Sequence, residues 1–102
     1  MSERIEKIKA LLAISPADRF LNHALALEYI KAGEDGTAKM YFETNLNNEP
    51  GYVATYYHLG KLLERIGDTT KAAGVYEAGM GYAKQAKDMH TYSELQNALE
   101  EL

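Results

Sequence analysis

What most constrains this chain is that it repeats itself at an offset of 34 residues. Pro16 and Pro50, Leu25 and Leu59, Gly33 and Gly67, Ala38 and Ala72, and Glu43 and Glu77 are identical pairs at that spacing. Between them Ala26 matches Gly60, Lys31 matches Arg65, Glu34 matches Asp68, Phe42 matches Tyr76 and Leu46 matches Met80. Self-similarity at a period of about 20–50 residues marks an architecture of stacked supersecondary units, none of which buries its apolar face alone. With 102 residues, the chain accommodates two such units and a partial unit at each end.

The pattern inside each unit is helical. Ile5, Ile8, Leu11 and Leu12 recur three and four apart with Glu and Lys between them, the stripe of an amphipathic helix, and predict a first helix over 2–13. Ser15-Pro16-Ala17-Asp18 offers a capping hydroxyl and a proline whose missing N–H costs nothing in a first turn. A second helix is therefore expected over 16–32, closed at Gly33, where a residue without Cβ can turn left-handed. Strand signals are weak, because β-branched residues are sparse and no alternation with period two persists. The chain reads as all-α. On the first helix of each unit, Leu25, Ala26 and Tyr29, then Leu59, Gly60 and Leu63, set a small residue beside two large ones. Ala38 and Phe42, then Ala72 and Tyr76, supply the matching face of the second helix, so the pair should interlock as knob and notch.

These residues are similar to the signature of the tetratricopeptide repeat family, which sets an aromatic, Leu-Gly and Tyr on one helix and Ala, Phe and a closing Pro on the next. The second copy reads Tyr56-x-x-Leu59-Gly60-x-x-Leu63, then Gly67, Ala72 and Tyr76; the first reads Asn22-x-x-Leu25-Ala26-x-x-Tyr29, then Gly33, Ala38, Phe42 and Pro50. Asn22 departs from the pattern, since a large residue is usual there. The resemblance covers about residues 17–86. It implies antiparallel helix-turn-helix repeats stacked as a short right-handed superhelix, a TPR-like α-solenoid forming a single domain over 1–102. Within it, 1–15 would be the second helix of a truncated repeat, 17–52 and 53–86 the two repeats, and 88–102 a capping helix. Lys84 stands where a third proline would fall, so the helix from 69 is expected to run on to 87. Tyr92, Leu95 and Leu99 restore an apolar face displaced by two residues, with Gln96 at the small-residue slot; a polar residue suits a closing unit with a solvated outer face.

The resemblance also implies a function, the binding of a protein or peptide along the concave side lined by the first helices. The lining residues would be Phe20, His23, Leu27 and Ile30, then Ala54, Tyr57, Lys61 and Glu64, then His90, Ser93 and Asn97 on the cap. Phe20, Leu27 and Tyr57 are the expected anchors, because aromatic and aliphatic contacts carry most interface energy. The competing expectation is that the first helix folds over Phe20 and Leu27 and buries them. Family members that clamp a chaperone's C-terminal carboxylate present Lys and Asn at slots held here by His23, Leu27 and His58, so that mode is not expected. Eight Tyr and no Trp supply amphipathic rings of the kind enriched at interfaces, and Tyr41, Tyr52, Tyr57 and Tyr82 cannot all enter the core of two repeats. A homodimer is the alternative reading, in which this aromatic surface or the cap builds a self-association module without a peptide ligand.

Other classes are disfavoured. His23, His58 and His90 stand alone, 35 and 32 residues apart, without the paired ligand spacings of metal sites. Neither a Gly-rich phosphate loop, a nucleophile elbow nor a paired acid/base motif occurs, so no enzyme, cofactor or metal is expected. Lys+Arg 11 against Asp+Glu 15 leaves a net charge of −4, which argues against nucleic acid. No stretch reaches the ~18 apolar residues of a membrane span, the amino end lacks the features of a signal peptide, and Cys 0 fits a reducing cytoplasm. Glu34-Asp35 is expected to begin a turn in which Asp35 caps the next helix. Gly74, Gly79 and Gly81, each costing up to about 1 kcal/mol inside a helix, are expected to reflect close packing at Gly79, with tertiary contacts tolerating the other two, in preference to a hinge.

Overall fold

A computed structural model describes residues 2–102. Those residues form six α-helices and no strand: α1 Glu3–Ile14, α2 Arg19–Lys31, α3 Asp35–Asn48, α4 Ala54–Arg65, α5 Thr69–Gln85 and α6 Met89–Glu100. They fall into two compact units, the first ending at Glu49 and the second spanning Pro50–Leu102.

In the first unit α2 packs against α1 and α3. Ile5 and Ile8 of α1, Leu25, Ala26 and Tyr29 of α2, and Ala38 and Phe42 of α3 are its buried apolar residues. In the second, α5 packs against α4 and α6, and α4 also meets α6. Here Leu59, Leu62, Leu63, Ala72, Tyr76, Ala83, Leu95 and Ala98 are buried. The small-beside-large reading holds in detail. A Cβ built on Gly60 would lie 2.1 Å from Tyr76 Cε1, and one on Gly79 would lie 2.5 Å from Tyr56 Cβ and 2.9 Å from Leu95 Cδ1. Gly79 thus lets α4 and α6 both approach α5. Gly74 and Gly81 differ from expectation, for a Cβ on either would meet nothing within 4 Å; they serve no packing.

The departure at Asn22 has a physical account. Asn22 is buried, and its amide donates to the carbonyls of Pro16 at 3.1 Å and Asp18 at 2.9 Å. One repeat later the Tyr56 hydroxyl donates to the carbonyl of Pro50. Amide and phenol are both buried donors that find equivalent carbonyl acceptors, those of the two matched prolines.

Several boundaries move. The second helix does not start at Pro16: Asp18 is its N-cap, accepting from Leu21 N–H at 2.9 Å, while Ser15 ends α1 and its carbonyl accepts from Asp18 N–H at 3.1 Å. A carboxylate next to the first helical residue won over a hydroxyl three residues upstream. Likewise α1 begins one residue late because Ser2 is its cap, accepting from Arg4 and Ile5 N–H. Asp35 is not a cap but the first residue of α3; the cap position is Glu34, which makes no side-chain cap hydrogen bond. The long helix ends at Gln85, not 87, and is still the longest described, at 17 residues. On α6 the buried small residue is Ala98, and Gln96 is exposed.

The three turns that follow α2, α4 and α5 share one geometry. Glu34 N–H reaches Tyr29 carbonyl, Asp68 reaches Leu63 and Asp88 reaches Ala83, at 2.8, 2.8 and 2.9 Å. Each is the six-to-one bond of a Schellman motif, whose preceding residue must be left-handed. Gly33 and Gly67 fill that position at φ +78° and +90°, and Lys87 fills it at φ +59°.

Candidate functional site

The predicted lining residues of the first unit all lie on α2. Phe20 is the second residue of the helix and is 68% exposed, so α1 does not bury it. With Ala17, Asp18, Arg19 and Glu49 it borders an open recess of about 350 Å³, across which Arg19 reaches Glu49 at 3.4 Å. Leu27 and Ile30 are half-buried. His23 is half-buried too, its ring centroid 5.6 Å from that of Phe42 on α3. It is therefore partly a packing residue between α2 and α3.

The second unit brings more of the predicted residues together. Tyr57 and Lys61, one turn apart on α4, form one wall of a depression of about 160 Å³ whose other wall is Glu94, Asn97, Ala98 and Glu101 at the end of α6. The Lys61 ammonium lies over the Tyr57 ring, 5.6 Å from its centroid, within cation–π range, and is 3.7 Å from Glu64. Glu64 in turn accepts from the Tyr76 hydroxyl of α5. Burial pushes the Tyr76 hydroxyl far above the ordinary phenol range, and the fields of Glu64, Tyr57 and Glu101 add to the shift. His58, on the neighbouring face of α4, is pushed down by burial, partly offset by the field of Glu94. Ala54 and His90 are exposed and do not line the depression; His90 Nε2 lies 3.7 Å from Glu94. The sequence reading passed over Glu94 and Glu101. Their spacing to Asn97, three and four residues, would have placed all three on one helix face.

Electrostatically the first unit holds one further group. Glu28 of α2 is only 9% exposed and its Oε2 accepts from Arg4 of α1 at 3.0 Å and Lys31 at 3.2 Å. Burial alone would raise its pKa; the Lys31 and Arg4 contacts outweigh that and hold it below the usual carboxylate range. No cluster of three or more His, Asp or Glu among the described residues could hold a metal ion, and no described helix is long and apolar enough to cross a membrane.

Solved structures identify this arrangement. The crystal structure of a tetratricopeptide repeat domain protein from Salinibacter ruber is similar to this chain with 39% identity and a TM-score of 0.79, over 82% of this chain and 93% of that one. This chain belongs to the tetratricopeptide repeat family. A solution structure of a tetratricopeptide repeat domain protein from the same organism matches at 40% identity and TM-score 0.81, covering 84% of this chain and 87% of that one. A protein from Bordetella parapertussis matches at 27% identity and TM-score 0.83, over 99% and 88% of the two chains. No family model matches the sequence, and no curated protein does. Membership in the tetratricopeptide repeat family makes the chain a helical-repeat module of a kind that typically mediates protein interactions.

Proposed function

We propose that this protein is a non-catalytic interaction module that binds a peptide or protein segment, with the depression between α4 and α6 as its principal contact. The observation carrying this reading is that Tyr57 and Lys61, two of the lining residues the family resemblance implies, stand on an open concave surface with an amide and two carboxylates facing them. Tyr57 is the anchor, Ala98 the floor, and Lys61 and Asn97 supply donors and an acceptor for a bound backbone. On the first unit, Phe20, His23 and Leu27 offer a separate contact face, and Ala54 and His90 are peripheral positions of the second. Nucleic acid is not the ligand, given the net charge of −4, and the absence of Cys suits work in a reducing cytoplasm.

Affinity capture from the source cell's extract tests this, with Tyr57→Ala and Leu27→Ala compared against the parent. Each substitution should reduce capture of the same partner while the mass in light scattering coupled to size exclusion stays unchanged. Undiminished capture by Tyr57→Ala overturns the assignment of the depression.

A second reading, homodimerisation, is favoured by one observation. Leu11 and Ile14 at the end of α1 and Phe20 at the start of α2 are all strongly exposed. If this patch joins two copies, the scattering mass is about twice 11.4 kDa and Phe20→Ser returns it to one.

A further inference from the structure

We propose that the occupant of the α4/α6 depression is an extended, basic segment carrying two Lys or Arg side chains three residues apart. The inference rests on the reading of that depression as the binding surface and adds the chemistry of what it receives. Three observations support it.

The first is the spacing of the anionic wall. Glu94 on α6 and Glu101 at its C-cap are seven residues apart, which at 1.5 Å per residue sets them about 10 Å apart on one face. A peptide in the polyproline II conformation, with three residues per turn and a rise of about 3.1 Å per residue, sets side chains three residues apart on one face about 9 Å from each other. Asn97 lies between the carboxylates, where its amide can both donate to and accept from a peptide backbone.

The second is that the opposite wall already seats a cation. Lys61 lies over the Tyr57 ring, so the ring face is presented to positive charge; a guanidinium, planar and weakly hydrated, stacks there better than an ammonium. A Lys61 displaced from the ring keeps an anionic neighbour, because Glu64 lies 3.7 Å from its ammonium.

The third is charge balance. Glu64, Glu94 and Glu101 outnumber Lys61 around the depression, and their fields reach the buried Tyr76 on α5 and the half-buried His58 on α4. An acidic segment would meet a repulsive surface; a basic one is steered in, and more strongly at low salt.

The probes are fluorescein-labelled ten-residue Ser/Gly peptides, one with Arg at two positions three apart, one with Glu at the same positions, and one with Arg at adjacent positions. Binding is read by anisotropy and located by amide chemical-shift changes. The spaced Arg peptide should shift Tyr57, Asn97 and Ala98, bind at least fivefold more tightly than the adjacent-Arg peptide, and weaken severalfold between low and physiological salt. Glu94→Gln and Glu101→Gln are exposed and should each cost two- to fivefold. Equal affinity of the two Arg peptides, or no loss in either variant, overturns the spaced-cation match. If the Glu peptide shifts the same amides as strongly, the basic-segment proposal fails while the depression stands as a binding surface. If no peptide shifts them, the proposal and the surface assignment fall together.

Discussion

Gly60→Ala is the sharpest perturbation of the second unit. An added methyl carbon would lie 2.1 Å from Tyr76 Cε1, 2.6 Å from Cζ and 2.7 Å from Cδ1, where carbon pairs ordinarily rest at about 3.5–4.0 Å. The ring cannot swing aside freely, since Tyr76 is 0% exposed and its hydroxyl is bonded to Glu64. Clearing the methyl needs more than an ångström of movement at the ring edge. That places the cost at the upper end of the ~1–3 kcal/mol of overpacking, to which a weakened bond to a charged acceptor adds about 1.5–3 kcal/mol. The helix-propensity gain of Ala over Gly returns only about 1 kcal/mol. The net loss is about 3–5 kcal/mol. At about 4–8 °C per kcal/mol for a domain of this size, Tm should fall by at least 10 °C. Gly74→Ala and Gly81→Ala, whose methyls meet nothing within 4 Å, should each gain about 0.5–1 kcal/mol. Thermal and urea melts followed by far-UV circular dichroism decide the matter. If Gly60→Ala melts within a degree or two of the parent, or no lower than Gly74→Ala, the close approach of α4 and α5 argued here is wrong.

Three further outcomes are expected. Glu34→Asp should stabilise the protein by about 0.5–1 kcal/mol by adding a side-chain cap to α3, because the Glu34 backbone at φ −103°, ψ 66° is nearly that of Asp68 at φ −97°, ψ 70°, which does cap α5; an unchanged urea midpoint would contradict this. Lys87→Gly relieves a left-handed side-chain-bearing residue at φ +59° and should gain up to about 1 kcal/mol, read as a raised Tm. Glu28 has its folded pKa lowered, so its stabilisation is present above the unfolded carboxylate pKa and is lost as pH falls through the folded value; urea midpoints should drop on acidification below about pH 4.3, and Glu28→Gln should flatten part of that drop.

Legibility in the sequence followed the repeat. Wherever a residue had a counterpart 34 positions away, its environment could be read twice, and Leu25 with Leu59, Ala38 with Ala72 and Phe42 with Tyr76 are buried as expected. Where the counterpart failed, so did the reading. The stop after α5 carries neither glycine nor proline, because Lys87 adopts the left-handed turn on the strength of the surrounding Schellman hydrogen bonds. Glu28 could not be anticipated, since its partners Arg4 and Lys31 lie 24 residues before it and one turn after it, and only the docking of α1 brings the first of them near. The face of α4 was legible for the same reason as the core. Of the α6 wall only Asn97 was, because that helix has left the 34-residue phase and its inward direction is set by Leu95 and Ala98.

The two units also explain why one kept Ala where the other took Gly. In the first, Ala26 is accompanied by Phe42 and Ile30; in the second, Gly60 is accompanied by Tyr76 and Glu64. The three slots change together. A hydroxyl on the α5 ring requires an acceptor when buried, and Glu64 provides it one helical turn beyond residue 60. To reach that carboxylate the ring must lie across residue 60, which leaves no room for a methyl. Phe42 carries no such demand, so Ala26 suffices. The substitution therefore has a consequence for function as well as packing. It fixes Glu64 beside Lys61, and so helps set both the position of the ammonium over Tyr57 and the charge of the surface that a ligand meets.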